Sequence, residues 1–210
     1  MEKIKAAVNA TQSQIRAFIA LHPPEPVLDA LEAMQSRWKT GLKNADIRWT
    51  RREQLHLTTQ FLGNIEARRL PDFEAALQAA CAGFSGIRLS VESLGCFPGE
   101  TRPRILWAGA EGEVETLEKL KLSLDDTLAP LNYVPEKRRF HPHLTLARVG
   151  ELRSRDRLEF SKLLELTRET RFGPWQIGSV ALMQSVLSPA GARYAQLSSV
   201  TLLKQPSGST

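Results

Sequence analysis

The tripeptide His-Leu-Thr occurs twice in this chain, as His56-Leu57-Thr58 and His143-Leu144-Thr145. Each copy lies in an apolar run, Leu55-His-Leu-Thr-Thr59 and Pro142-His-Leu-Thr-Leu146. Successive side chains of a strand point to opposite faces. Either run, once extended, must therefore bury its leucine on one face and present its histidine and threonine together on the other. If the two strands face each other, four polar groups converge on one cleft.

The surrounding pattern interleaves strands and helices in two comparable halves. Residues 15–21 form a short apolar run stopped by His22-Pro23-Pro24 and are expected to be a strand. Residues 25–38 carry Val27, Leu28, Leu31 and Met34 at helical spacing, with the prolines at the start, where a helix tolerates them. Strands are expected at 47–50 and 55–62, with Gly63-Asn64 as the turn after them, and a helix at 67–81. Strands at 88–94 and 104–108, a helix at 112–128, a strand at 144–149 and a helix at 156–167 follow. Two strands, 175–187 and 193–203, close the chain. No linker or low-complexity segment divides it. The expected organisation is a flexible leader over residues 1–14, one bilobal α+β domain over 15–203, and a flexible tail over 204–210.

At 210 residues, 42% hydrophobic and 24% charged, the chain can bury a substantial core. No apolar run approaches the roughly 20 residues that span a bilayer, and the N-terminus lacks the apolar stretch of a secretory signal. Cys81 and Cys96 have no metal-ligand spacing and are expected to be reduced thiols of a cytoplasmic protein. The net charge of +5 favours an anionic partner. Basic residues cluster at Arg48, Arg51 and Arg52, at Arg102 and Arg104, and at Lys137-Arg138-Arg139. Any one cluster reads most simply as a solvated face, but the first and last lie just upstream of the two His-Leu-Thr motifs.

Two histidines brought together from different strands suit phosphoryl transfer without a metal. One takes a proton from the attacking water, and the other gives one to the leaving oxygen. In-line displacement requires the two rings on opposite sides of phosphorus, and threonine hydroxyls can donate to the non-bridging oxygens. Against this, a single strand histidine is usually a hydrogen-bonded core residue. A metal reading is also open, since His141 and His143 are two apart, but no nearby carboxylate or cysteine supplies a third ligand. Pro142 disturbs the alternation between them, so His141 is left out, and His22 is expected to be a turn residue.

The chain resembles the bacterial and archaeal LigT-like 2′–5′ RNA ligase family, the RNA 2′,3′-cyclic phosphodiesterases of the two-histidine phosphoesterase superfamily. The likeness runs from Arg16 to Leu202. It is carried by Arg16-Ala-Phe18, Arg48-Trp49-Thr50, His56-Leu57-Thr58-Thr59-Gln60-Phe61-Leu62-Gly63 and Phe97-Pro98-Gly99. Further on it is carried by Arg102-Pro103-Arg104-Ile105-Leu106-Trp107, Arg139-Phe140-His141-Pro142-His143-Leu144-Thr145-Leu146-Ala147-Arg148 and a closing hairpin from Leu182 through Tyr194. The resemblance implies a bilobal two-histidine phosphoesterase fold, with two antiparallel sheets facing across a central groove and helices outside. It implies hydrolysis of RNA 2′,3′-cyclic phosphate ends to 2′-phosphomonoesters, and 2′–5′ ligation when the same site runs in reverse. His56 is implied as proton donor and His143 as proton acceptor, with Thr58 and Thr145 holding the phosphate. No metal or cofactor is implied. The implied partner is RNA bearing cyclic phosphate ends, tRNA fragments among them, and the implied enzyme is a cytoplasmic monomer.

The residue after the first motif is usually hydrophobic in that family, and here it is Thr59, which by alternation points away from the catalytic face. Arg148 is a candidate substrate contact. In a regular strand it would face away from His143, though a local bulge would turn it back. Phe61 and Phe140 are expected in the core, as aromatic strand residues usually are. Two other readings compete: an RNA-binding module without turnover, and a relative acting on 2′–5′ oligonucleotides or on a small cyclic phosphate. Binding alone needs basic and aromatic residues rather than two matched histidines.

Overall fold

The computed structural model describes residues 13–188 and 191–203. Of the expected leader only Ser13 and Gln14 are described, and Gln14 already opens the first strand; the expected tail, 204–210, lies outside the described residues. The element order is β1 (Gln14–Leu21), α1 (Glu25–Gly41), β2 (Ile47–Trp49), β3 (Leu57–Glu66), α2 (Leu70–Cys81), β4 (Ile87–Phe97), β5 (Ile105–Gly112), α3 (Val114–Leu128), β6 (His143–Val149), α4 (Ser154–Thr167), β7 (Arg171–Ile177), β8 (Ser179–Ser188) and β9 (Gly191–Thr201). Short 3-10 turns precede β3 and α2 and follow α3.

Every pairing between these strands is antiparallel. One half of the sheet runs β7-β4-β5-β6, with β2 also on β6; the other runs β3-β1-β8-β9. The halves join through a single residue pair, Leu57 opposite Leu144. Both leucines are fully buried. The two motif leucines are thus the seam of the fold, and the α+β arrangement is observed as one curled antiparallel sheet of two halves with helices packed outside. The apolar faces of α1 to α4 and the leucine side of the sheet form one continuous core. A second, small cluster of Phe18, Ala20, Ala181 and Met183, with Tyr194 against it, sits apart from that core. Phe18 and Ala20 alternate along β1 with Ala17 and Ile19 of the main core, so this cluster lies on the opposite face of the sheet, away from the helices.

Two buried glutamines tie this frame to the motif strands. The side-chain amide of Gln35, on α1, donates to the carbonyls of Thr50 (2.8 Å) and Leu146 (2.9 Å). That of Gln60, on β3, donates to the Lys121 carbonyl (3.0 Å) and to Asp125 (3.1 Å) on α3, where Lys121 also meets Asp125 at 2.7 Å. Buried amide N–H groups paired in this way fix strand position more narrowly than apolar contact does, while the Gln60 Oε1 has no partner among the described residues.

Three expectations need correction. Gly63-Asn64 is not a turn: β3 continues to Glu66, and Gly63, at φ 69°, pairs with Ala17 beside a register shift. A glycine of positive φ within an antiparallel pair makes a bulge, which bends the strand without ending it. The segment expected as one strand from 175 is two, β7 and β8, parted at Gly178. Gly173 and Pro174 hide the start of β7 in the sequence. The strand tolerates them because it is the sheet edge, where a missing N–H goes unmissed. Phe61 is 70% exposed rather than in the core, because a second bulge, at Thr59, turns it outward.

Trp38 of α1, one of the two largest fully buried side chains of the core with Trp175, lies edge-on to Phe160 of α4 at 5.1 Å. Trp38→Ala is expected to cost about 3–5 kcal/mol, read as a lower denaturant midpoint. Its indole N–H has no hydrogen-bond partner among the described residues. Trp38→Phe, which removes that group and keeps most of the volume, should therefore cost much less.

Candidate active site

Because Leu57 and Leu144 are directly opposed on antiparallel strands, continuing the register sets His56 across from Thr145 and Thr58 across from His143. An approximate twofold axis passes between the two leucines. It relates one motif to the other and puts both histidines and both threonines on the face away from the core.

The two rings are oriented in the same way. His56 Nδ1 lies 2.7 Å from the carbonyl of Gln54, and His143 Nδ1 lies 2.6 Å from the carbonyl of His141. A carbonyl can only accept, so each Nδ1 carries the hydrogen, and in the neutral ring Nε2 holds the lone pair. In both motifs the orienting carbonyl stands two residues before the histidine. The Thr58 hydroxyl donates to His56 Nε2 at 2.9 Å. The turn before His56 is itself anchored: Arg52 reaches Asp29 (2.8 Å), Glu32 (2.5 Å) and Glu25 on α1, and the Gln54 amide donates to the Ala192 carbonyl of β9.

Aromatic rings wall both histidines. His56 has Phe18 at 4.9 Å and Tyr194, edge-on, at 5.3 Å, with the His22 ring at 6.4 Å. His143 has Phe97 at 5.2 Å and Trp107 at 6.4 Å, and His141 meets Trp107 at 4.6 Å. Trp107 can lie where it does because Gly95 stands opposite it in the register: a Cβ there would be 2.2 Å from the indole ring. Beyond Phe97, Trp107 and His141 opens a pocket of about 530 Å³ that Arg139 also lines.

This environment keeps the rings neutral. Burial pushes the His56 pKa down to about 4, and a positive charge on His22 or His143 would depress it further; the Gln54 carbonyl opposes the shift. His143 is likewise held below its ordinary value, chiefly by burial, with the carbonyl of His141 opposing. With both rings neutral, each Nε2 is placed to accept a proton.

Two bulges decide which other side chains reach this face. In the β1–β3 pair Ile19 opposes Gln60 and Ala20 opposes Thr58, so Thr59 is an extra residue. It is buried, and its hydroxyl donates to the Ile19 carbonyl (3.3 Å). The insertion reverses the alternation: Gln60 turns to the helices and Phe61, opposite Phe18, turns to the catalytic face. In the β5–β6 pair Leu106 opposes Ala147 and Trp107 opposes Thr145, which makes Leu146 the extra residue. Arg148, opposite Ile105, is thereby returned to the face of Trp107 and Thr145. It is exposed, forms no ion pair among the described residues, and has Arg48 of β2 across from it.

A model of the LigT-like phosphoesterase family matches residues 21–107 and 109–194. The chain belongs to this family. An RNA 2′,3′-cyclic phosphodiesterase of Methanothermobacter thermautotrophicus is 30% identical over 184 residues, covering 88% of this chain and 97% of its own. One from Aeropyrum pernix is 32% identical over 145 residues, covering 69% and 80%. Among solved structures, a Thermus thermophilus protein superposes with a TM-score of 0.73 at 28% identity, covering 91% of this chain and 100% of its own. Escherichia coli LigT complexed with 3′-AMP superposes with a TM-score of 0.68 at 21% identity, covering 92% and 100%, a likeness of fold.

As a LigT-like phosphoesterase, the chain brings His56, Thr58, His143, Thr145 and Arg148 to one face. Other assignments change. Arg52 is spent on three carboxylates of α1 and is not free to attract an anion. Arg104 lies 4.0 Å from Glu151. His141, set aside from the sequence, contributes its carbonyl to His143 and its ring to the Trp107 wall. Phe140 is half-buried against the core with the Lys121 ammonium 5.9 Å from its ring. Cys81 and Cys96 are free thiols. No group of three or more His, Cys, Asp or Glu among the described residues is placed to share a metal ion, and no described helix is long and apolar enough to cross a membrane. Gln54 was missed, and Phe18 and Tyr194 were named only within the likeness, without a place beside His56: Gln54 acts through a carbonyl that every residue possesses, and the two rings arrive from strands distant in sequence.

Proposed function

We propose that this enzyme hydrolyses the 2′,3′-cyclic phosphate at RNA ends, tRNA fragments among them, to a 2′-phosphomonoester by metal-independent acid–base catalysis, acting as a cytoplasmic monomer. The observation that carries the reading is the pair of imidazoles with Nδ1 tied to a backbone carbonyl and Nε2 left for proton transfer. The names borne by relatives about 30% identical over most of the chain point to the same substrate.

In this reading the phosphate sits between the rings. His143 Nε2 takes a proton from a water whose oxygen attacks phosphorus. The bond to O3′ breaks, and His56 Nε2–H delivers its proton to the departing O3′. One proton has moved onto His143 and one off His56, and exchange with solvent restores the pair. Thr58 couples to this cycle. While His56 is neutral its hydroxyl donates to Nε2. Once Nε2 is protonated that nitrogen donates instead, freeing the hydroxyl hydrogen for a non-bridging oxygen. Thr145 and Arg148 stand on the same face to complement the remaining charge. With a ribose 5′-hydroxyl in place of water, the same attack with O3′ departing makes a 2′–5′ bond, and its reverse, attack by O3′ with the 5′-hydroxyl departing, cleaves one.

The test is a short RNA ending in a 2′,3′-cyclic phosphate, incubated with the protein in EDTA and resolved by product. A 2′-phosphate terminus is expected. A 3′-phosphate product, or activity abolished by the chelator, would overturn the assignment.

A further inference from the structure

In-line attack gives the two sides of the phosphorus different neighbours. Water approaches from the His143 side, while the departing O3′ belongs to the terminal ribose. The ribose, and with it the RNA chain that precedes it, must therefore extend over the half of the sheet that carries His56. On that half, beyond His56 and Phe18, stands Phe61. It is 70% exposed and the only aromatic among the large exposed hydrophobic residues of the described chain. It directly opposes Phe18 in the β1–β3 register, so the two rings share a face. Arg16 stands two residues before Phe18 on β1, hence on the same face, and is exposed, with no ion pair among the described residues.

We propose that Phe61 and Arg16 form a second-nucleotide subsite: the base preceding the cyclic end stacks on Phe61, and the phosphodiester joining the last two nucleotides meets Arg16. This rests on the function proposed above and extends it from a phosphate site to a short single-stranded RNA track. Three features support it. An exposed phenylalanine on a sheet face is the platform that single-stranded nucleic acid uses, because every base has a face to stack. An exposed guanidinium one strand away, with no ion pair among the described residues, supplies the cation that a backbone phosphate needs. The Thr59 bulge is what turns Phe61 outward, since without it the ring would point into the core with Leu57.

The experiment compares kcat/KM for a 2′,3′-cyclic mononucleotide with that for a dinucleotide carrying the same cyclic end, in wild type, Phe61→Ala, Phe61→Trp and Arg16→Gln. The wild type is expected to prefer the dinucleotide. The preference should fall by about tenfold or more in Phe61→Ala, the size of one lost base stack. Phe61→Trp should keep it. Arg16→Gln should lower it and weaken its dependence on salt. Retention by the aromatic replacement separates stacking from any effect on the strand itself. A preference unchanged in Phe61→Ala and Arg16→Gln overturns the subsite and leaves the function standing. A wild type that turns over neither substrate overturns the function and the subsite together.

Discussion

Replacing His56 or His143 by alanine is expected to lower kcat on an RNA 2′,3′-cyclic phosphate by about 10²–10⁴-fold, the usual worth of a positioned acid or base. The double variant should be little worse than either single one, because a base without its acid, or an acid without its base, cannot complete the transfer. Phe18 and Tyr194 pack against His56, so alanine there also opens a gap; His56→Asn keeps more of the volume and removes the proton transfer. Denaturant midpoints near wild type would assign the loss to chemistry. The two roles can then be separated by the leaving group. A phosphodiester that expels a weakly basic aryl oxide needs no proton on departure, so His56→Ala should regain most of its deficit on such a substrate while His143→Ala should not. Equal rescue of both variants, or rescue of His143→Ala alone, would reverse or cancel the donor and acceptor assignments.

Much of this site was legible in the sequence, because period-two alternation is a local property. His-Leu-Thr in an apolar run says where its leucine goes, and both leucines are indeed buried, opposite one another. The helices were legible for the same reason, from spacing alone. What the sequence concealed has two physical sources. Bulges reverse alternation: Thr59 sends Phe61 outward and Leu146 brings Arg148 back, and neither residue marks itself as an insertion. Contacts at long range were also hidden. Arg52 reads as a free cation beside the motif until α1 delivers Glu25, Asp29 and Glu32 to it. The Gln54 and His141 carbonyls orient the catalytic rings, yet a carbonyl is common to every residue and leaves no trace in composition.

The pH profile should lie lower than two ordinary histidines would put it. An isolated imidazole titrates near pH 6.5, and a pair of them suggests a bell with both limbs near neutrality. In the folded protein burial holds His56 at about 4 and His143 below its ordinary value. The kcat/KM profile reports the free enzyme, in which His56 must be protonated and His143 neutral. Both shifts are downward, so both limbs move below pH 6.5, and kcat/KM should fall about tenfold for each pH unit above neutrality, as the protonated form of the donor is depleted. A bound cyclic phosphate carries a negative charge to within reach of His56 Nε2, and an adjacent anion favours the imidazolium. The alkaline limb of kcat, which reports the complex, should accordingly stand at higher pH than that of kcat/KM. The same linkage is visible without turnover: the His56 ring should stay neutral in the free protein until about pH 4 and take up a proton at higher pH when a 2′-phosphate is bound, followed by the NMR shifts of its ring carbons. A kcat/KM that climbs steadily through pH 8 would mean that hydroxide, rather than a histidine pair, sets the rate.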